Sequence, residues 1–399
     1  MFINASLIYP VSLHKEHSEL PMAIEKKIVS YEDLSPFSKK VYNYSHPKKT
    51  KKISESKLLP TFHNKNKYTL HYKNLIYYLS KGLILKKIHK IVSFDQQPFL
   101  KTYIEKLTKL RIMYAEKNNT FFVNVFKLLA NSTYGKFAEN PRNYNYSKLC
   151  LNPLQFKKAI SSPRFIKATI INENVAIVQY KPSHLIFKSA FHVAAAILEL
   201  SKLYMTYFLY EILKPHFYPD KINIILSDTD SFIFEIKCRN FFKRYKTLQM
   251  MDFSNFPKNH YLHSNKNKKA LFHFKDENPF DYISQFCGLR PKLYAIKTVN
   301  DQNYVRSKGY SKNFSKTFLS FDTYNECHKT LQDFRFPFKS IRGYDHRLFS
   351  ILQNKIVLSN FDSKMYCCEC NIHTFFHGSI HKQNICEKCN NIVKIDDNI

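Results

Sequence analysis

Between Lys221 and Ile236 the chain reads K-I-N-I-I-L-S-D-T-D-S-F-I-F-E-I, two apolar runs closed on a tight acidic turn. Ile222, Ile224, Ile225 and Leu226 lead in, and Phe232, Ile233, Phe234 and Ile236 lead out. β-Branched and aromatic residues on both sides predict two buried strands joined as a hairpin. Asp228, Thr229, Asp230 and Ser231 form the turn. D-T-D-S is ordinary turn chemistry. Two carboxylates held at the tip of a rigid hairpin also suit a divalent cation with hard oxygen ligands, such as Mg²⁺. The stretch therefore points to phosphoryl-transfer chemistry.

The rest of the chain supports a polyanionic partner. Its 399 residues allow two or three modules with real cores, and 44% hydrophobic with 16% aromatic content excludes a disordered protein. Lys and Arg number 62 against 31 Asp and Glu, a formal charge of +31 spread through the sequence. An AT-rich coding bias accounts for Lys over Arg but not for two bases per acid, and a field of this size favours nucleic acid. No run reaches the roughly 18 to 20 apolar residues of a membrane span, and residues 1–10 lack signal-peptide character. The expectation is an intracellular, reducing setting without a membrane partner. Nuclear, viral cytoplasmic and organellar locations are not distinguished.

Residues 97–140 read as a helical pair. Arg111 and Lys117 fall toward the end of the first helix, and Asn118-Asn119-Thr120 offers the break and N-cap before the second. In that second helix Lys127, Asn131 and Tyr134 share one face, with Phe122, Val125 and Leu129 on the opposite, packing face. A helix-borne Lys is a mobile point charge for a triphosphate. A Tyr beside a Gly offers a flat wall to a base pair. Further on, Ala190 to Leu213 carries apolar residues at helical spacing, including Phe191, Ala194, Leu198, Met205 and Phe208, and reads as a packing helix. Lys292 and Tyr294 are two apart on a predicted strand and so project from one face. Ser311 to Ser359 reads as helical and basic.

These motifs, in this order, resemble family B DNA polymerases of the protein-primed, Polinton/Maverick-like type. D-T-D-S is similar to the palm motif Y-G-D-T-D-S, with Leu226 and Ser227 in place of Tyr-Gly. K-L-L-A-N-S-T-Y-G is similar to the fingers motif K-x-x-x-N-S-x-Y-G, matched at Lys127, Asn131, Ser132, Tyr134 and Gly135, and Lys136 follows as in Polinton-type members. Lys292 and Tyr294 match the K-x-Y motif that holds the primer end. Residues 3–27 are similar to the segment just downstream of the first palm motif, and no Asp precedes Ser6-Leu7-Ile8-Tyr9-Pro10. The resemblance covers roughly the first 380 residues.

The resemblance implies an α+β right-hand fold, with an antiparallel palm sheet and helical fingers and thumb. Its divisions would be a palm-proximal region at 1–92, fingers at 93–140, a loop-rich basic insertion at 141–182, palm at 183–300, thumb at 301–360 and a tail at 361–399. It implies template-dependent nucleotidyl transfer by two Mg²⁺ ions held by Asp228 and Asp230, with Asp230 bridging. Lys127, Asn131, Tyr134, Arg111 and Lys117 would contact the deoxynucleoside triphosphate. Ser132, Gly135, Ser231, Lys292 and Tyr294 would contact primer-template DNA. A terminal priming protein would be a further partner. Because the first catalytic Asp is absent, an N-terminally truncated enzyme with little activity alone is expected. An inactive remnant or a non-catalytic nucleic-acid-binding subunit is the alternative.

Nine cysteines are present, and five of them crowd into the last 33 residues. Cys367-x-x-Cys370 is followed after fifteen residues by Cys386-x-x-Cys389. Two such knuckles can place four thiolates around one structural Zn²⁺, a zinc ribbon rather than a disulfide framework. Cys368, His373, His377 and His381 compete as ligands.

Overall fold

A computed structural model of the chain describes residues 1–45, 53, 56–220, 222–279, 281–344, 347–368 and 373–379. The molecule is mixed α and β with small antiparallel sheets, and it divides into two compact units. The first unit comprises Met1–Asp95, Glu199–Arg335 and Ile356–Ile399, and the second Gln96–Leu198 and Phe336–Lys355. No helix of the described residues is long and apolar enough to cross a membrane.

The first unit is built around the strand Phe2–Ile8, which pairs antiparallel with Lys65–His71 on one side and Ile84–Val92 on the other. Ile3, Ala5 and Leu7 point into the core, as the two-residue period of a strand requires. On the other face Asn4 donates to the Lys67 carbonyl and Thr69 Oγ1, each at 2.8 Å, and Ser6 donates to Asn66. Leu70, the helix Tyr72–Ser80 and the segment Phe208–Leu213 close the same core. That segment is a π-helical turn continuing the helix Phe191–Tyr207, and it buries Phe208, Leu209, Tyr210 and Leu213. The expected packing helix is therefore present. Its early residues Phe191 and Leu198 are nevertheless exposed, at 62% and 44%.

Buried polar groups in this unit are tied down in pairs. Lys65, with 1% of its side chain exposed, bonds Glu25 at 2.7 Å and the Thr61 carbonyl at 3.1 Å. Such a pair fixes one arrangement of the loops it joins, because removing either partner strands a buried charge. His17 is fully buried, with its Nδ1 2.7 Å from the Tyr9 hydroxyl. Burial first, then nearby Lys214 and Lys81, pushes its pKa down to about 4, and burial moves His71 down to about 4 as well.

An acid sensitivity follows from these histidines. Above pH 6.5 both folded and unfolded chains carry neutral imidazoles. As pH falls from 6.5 toward 4 only the unfolded chain takes up these protons, so stability drops. For His17 the loss between pH 7.5 and pH 5 is about 2 kcal/mol. Thermal melts should show a clearly lower Tm at pH 5. Equal melting temperatures at the two pH values would contradict the buried, neutral assignment.

The aspartate hairpin consists of Ile222–Asp228 and Ser231–Ile236 in antiparallel register, Ser231 opposite Asp228 and Phe232 opposite Ser227. It is half-buried rather than buried. Ile222, Ile224, Phe232, Phe234 and Ile236 pack on the main core, while Asn223, Ile225 and Ser227 face outward. The two strands form a sheet of their own among the described residues, so one face has nothing to bury it. Nearby in sequence, Ile283–Arg290, Leu293–Thr298 and Asn303–Ser307 form a three-stranded antiparallel sheet. The helix Phe321–Thr330 begins in a Ser320–Thr323 capping box, buries Phe321, Tyr324 and Cys327, and bonds back through Tyr324 to the Arg306 carbonyl.

In the second unit the predicted helical pair is Lys101–Glu116 and Thr120–Phe137, broken at Asn118 with φ 53°. Asn119 caps the second helix by accepting from the Phe122 N–H at 3.2 Å. Residues 141–182 are not loop-rich. Tyr146–Cys150, Val175–Tyr180 and Phe165–Asn172 form a three-stranded sheet with Val175–Tyr180 in the centre, and the helix Pro153–Ile160 covers Cys150, Ala159 and Val178. Nor is the stretch from Ser311 to Ser359 helical throughout. After Lys312–Phe318 and Phe321–Thr330 comes a long hairpin, Phe334–Tyr344 with Arg347–Leu358. Phe334, Phe336, Phe338 and Ser340 are half-buried and Arg335, Pro337, Lys339 and Ile341 exposed, a period of two that selects strand over helix.

Candidate functional site

The hairpin tip is a turn whose two central residues are Thr229 and Asp230. The Asp230 N–H donates to the Asp228 carbonyl at 2.7 Å, Ser231 Oγ donates to the same carbonyl at 3.2 Å, and Thr229 Oγ1 donates to Asp228 Oδ1 at 3.1 Å. The turn is thus braced from within, and the Ser231 hydroxyl is committed to it. Asp230 is exposed and Asp228 half-buried. Thr229 has φ 58°, a left-handed conformation that a β-branched residue adopts at a cost of about 1–2 kcal/mol. Thr229→Asn should raise stability by about 0.5–1 kcal/mol, because Asn tolerates this region better. A lowered Tm in that variant would mean that the hydroxyl bond to Asp228 outweighs the backbone strain.

Lys292 reaches this turn. Its Nζ lies 2.7 Å from both Asp228 Oδ1 and Oδ2, joining residues 64 apart in sequence. Lys292 does not lie on a strand, as expected from sequence, but in the two-residue turn after Arg290, with φ 62°. Pro291 fixes the first turn position and leaves Lys292 the left-handed second one. Tyr294 stays on the strand opposite Gly288 and stacks on Phe286 with centroids 5.7 Å apart. Lys292 and Tyr294 therefore sit at one end of the hairpin but not as a same-face strand pair. A Cβ at Gly288 would come within 2.7 Å of the Phe286 ring, so this glycine leaves room for that stack.

The residues expected to contact a nucleotide all lie in the second unit. Lys127, Asn131, Ser132 and Gly135 are exposed on the helix Thr120–Phe137, and Tyr134 is half-buried. The packing face is broader than expected: Val125 is half-buried as expected, Phe122 and Leu129 are 37% and 40% exposed, and Val123, Phe126, Ala130, Tyr134 and Phe137 are half-buried as well. Tyr114 packs on Phe122 and Phe126 at 4.6 and 5.6 Å, so the expected face does meet the first helix through Phe122. Arg111 is half-buried with Nε unpartnered, and Lys117 lies over the Tyr114 ring at 5.9 Å.

Cys367 lies on the short strand Tyr366–Cys367, paired with Thr374–Phe375, and the Cys368 N–H donates to the His373 carbonyl at 2.8 Å. Cys370, Cys386 and Cys389 fall outside the described residues, as does His381. His377 is buried with Nε2 3.0 Å from the Ser363 carbonyl, while its own carbonyl accepts from the Phe62 N–H. It serves as a fastener between segments.

Among the described residues no group of three or more His, Cys, Asp or Glu could hold a metal ion. Asp228 and Asp230 offer carboxylate oxygens of the kind Mg²⁺ takes together with waters and substrate phosphates, with Lys292 engaging both oxygens of Asp228. A second ion needs another carboxylate. Two residues not singled out from sequence lie beside the turn: Lys308, whose N–H donates to the Lys292 carbonyl at 3.2 Å, and Lys364, whose charge feels that of Asp228. Among 62 basic residues nothing in their local sequence marks them. No protein-family model, curated protein or solved structure matches this chain.

Proposed function

We propose that the chain carries out template-directed deoxynucleotidyl transfer as the palm, fingers and thumb portion of a protein-primed family B DNA polymerase. The observation supporting this most directly is the Lys292–Asp228 contact, because it brings the D-T-D-S turn and the K-x-Y segment together across 64 residues. In this reading Asp230 and Asp228 hold Mg²⁺, with Asp230 as the principal ligand and Asp228 shared with Lys292. When bound, the metal lowers the pKa of the primer 3′-hydroxyl and neutralises triphosphate charge. Lys292 and Tyr294 position the primer end, one by charge and the other by its ring. Lys127, Asn131 and Tyr134 receive the incoming nucleotide on the second unit, with Arg111 and Lys117 as weaker phosphate contacts, and Ser132 and Gly135 lie along the template path. The tail cysteines Cys367, Cys370, Cys386 and Cys389 would hold one structural Zn²⁺. A terminal protein would supply the first primer.

Primer extension in Mg²⁺ tests the reading. With the first catalytic Asp absent, slow template-directed incorporation is expected, and it should disappear in Asp230→Asn; equal incorporation by that variant would overturn the reading. A second reading has one observation in its favour. Lys292 engages both oxygens of Asp228, and no third carboxylate joins the turn among the described residues. That arrangement suits a non-catalytic nucleic-acid-binding subunit, which tight, salt-sensitive DNA binding without any incorporation would select.

A further inference from the structure

The turn that carries Lys292 belongs to a larger concentration of positive charge in the same unit. Arg290 precedes it at the end of its strand, opposite Leu293. Lys308 follows the strand Asn303–Ser307 and is tied by its N–H to the Lys292 carbonyl. Residues 361–364 complete the group. Their backbone is pinned, since the Lys364 N–H donates to Asp362 Oδ1 at 3.1 Å, Lys57 Nζ donates to Ser363 Oγ at 2.8 Å, and His377 Nε2 meets the Ser363 carbonyl at 3.0 Å.

Asp362 and Ser363 are buried beneath this surface, whereas Lys308 and Arg290 are exposed and Lys364 half-buried. Arg290, Lys308 and Lys364 form no ion pair among the described residues. The charges feel one another. Burial, with Lys57 and Lys308 adding to it, pulls the Lys364 ammonium below the ordinary lysine range, against the pull of Asp362 and Asp228. Burial raises the Asp362 carboxyl above the usual carboxylate range despite Lys57, Lys364 and Arg290. Five cations thus face two acids, one of them paired to Lys292 and the other buried. The backbone bond between Lys308 and Lys292, and Arg290 at the end of the adjoining strand, put this excess of positive charge at one turn, where an anion would be favoured.

We propose that Lys308, Lys364 and Arg290, together with Lys292, form a cradle for the backbone phosphates of the primer strand next to its 3′ end. The inference rests on the polymerase reading for the identity of the strand. Lys308 is bonded to the residue assigned to the primer end, and the residues assigned to the triphosphate lie on the other unit. Phosphate contacts of this kind set the register of a strand without reading its sequence.

A thermodynamic cycle with the full chain tests the cradle. Binding is measured for a primer-template whose last three primer linkages are ordinary phosphates, and for the same duplex with those linkages as neutral methylphosphonates. The proteins are the parent chain, Lys308→Gln/Lys364→Gln, and an exposed-lysine control, Lys15→Gln. Neutral linkages should weaken binding by about tenfold or more in the parent and control but by only about threefold in the double variant, which keeps Arg290 and Lys292, because coupled groups fail to add. The double variant should also lower the salt slope by roughly two, at about 0.9 per phosphate. Additive losses would overturn the cradle. If Lys364→Gln impairs folding, Lys308→Gln/Arg290→Gln, confined to exposed residues, repeats the cycle with the same expected and contrary results. A coupled cycle without any incorporation would sink the enzymatic reading and leave the cradle standing. An additive cycle alongside normal incorporation would sink only the cradle.

Discussion

Asp230→Asn is expected to reduce nucleotide incorporation by roughly 10³-fold or more while leaving DNA affinity within about twofold, since a metal ligand contributes several kcal/mol to the transition state and little to duplex binding. The structure makes this a clean substitution. Asp230 is exposed, and the bond that orders it is its own N–H to the Asp228 carbonyl, which Asn keeps. The hairpin therefore stays folded when the charge is removed. Single-turnover incorporation and equilibrium binding on the same preparation separate the two effects. A variant that loses affinity and turnover in equal measure would place Asp230 in DNA binding instead of metal binding.

Lys292→Ala is expected to slow incorporation by about 10²-fold. The Lys292 ammonium lies 2.7 Å from the Asp228 carboxylate, and removing it leaves that carboxylate without its counter-charge facing an incoming polyanion. Global stability should change by less than about 1 kcal/mol, because exposed ion pairs contribute little to folding. Lys292→Arg should recover part of the rate. It retains charge, but its planar fork does not reproduce a point contact in a left-handed turn position. A loss below threefold in Lys292→Ala would show that the Asp228 contact has no part in turnover.

Much of the local architecture was legible because single residues impose it. The aspartate turn is flanked by runs that only strands accommodate, and Asn119 marks the start of the helix Thr120–Phe137 through its side-chain cap. What failed did so for physical reasons. The two apolar runs suggested buried strands, yet a two-stranded sheet with one covered face leaves Ile225 40% exposed. Counting Lys292 and Tyr294 as a strand pair ignored Pro291, whose ring sets up a turn. The helical pattern of residues 120–137 located Phe122 and Val125 on the packing side but not Phe126, which Tyr114 on the partner helix also covers. The hairpin Phe334–Leu358 carries a strand period in its first half that basic residues on the other face obscured. Lys308 and Lys364 were invisible because their meaning comes from long-range placement, Lys308 against the Lys292 carbonyl and Lys364 within the field of Asp228.

Ternary-complex formation tests the central claim most directly. A primer-template ending in a dideoxynucleotide is titrated with the full chain in Mg²⁺, with each of the four deoxynucleoside triphosphates in turn, and the DNA affinity is measured. If Asp228 and Asp230 with Lys292 form a polymerase site, the nucleotide complementary to the template base should tighten binding by about tenfold over the other three. Lys127→Ala and Asp230→Asn should each abolish that gain. Affinity that is the same with all four nucleotides, or a gain that survives Asp230→Asn, would contradict the account.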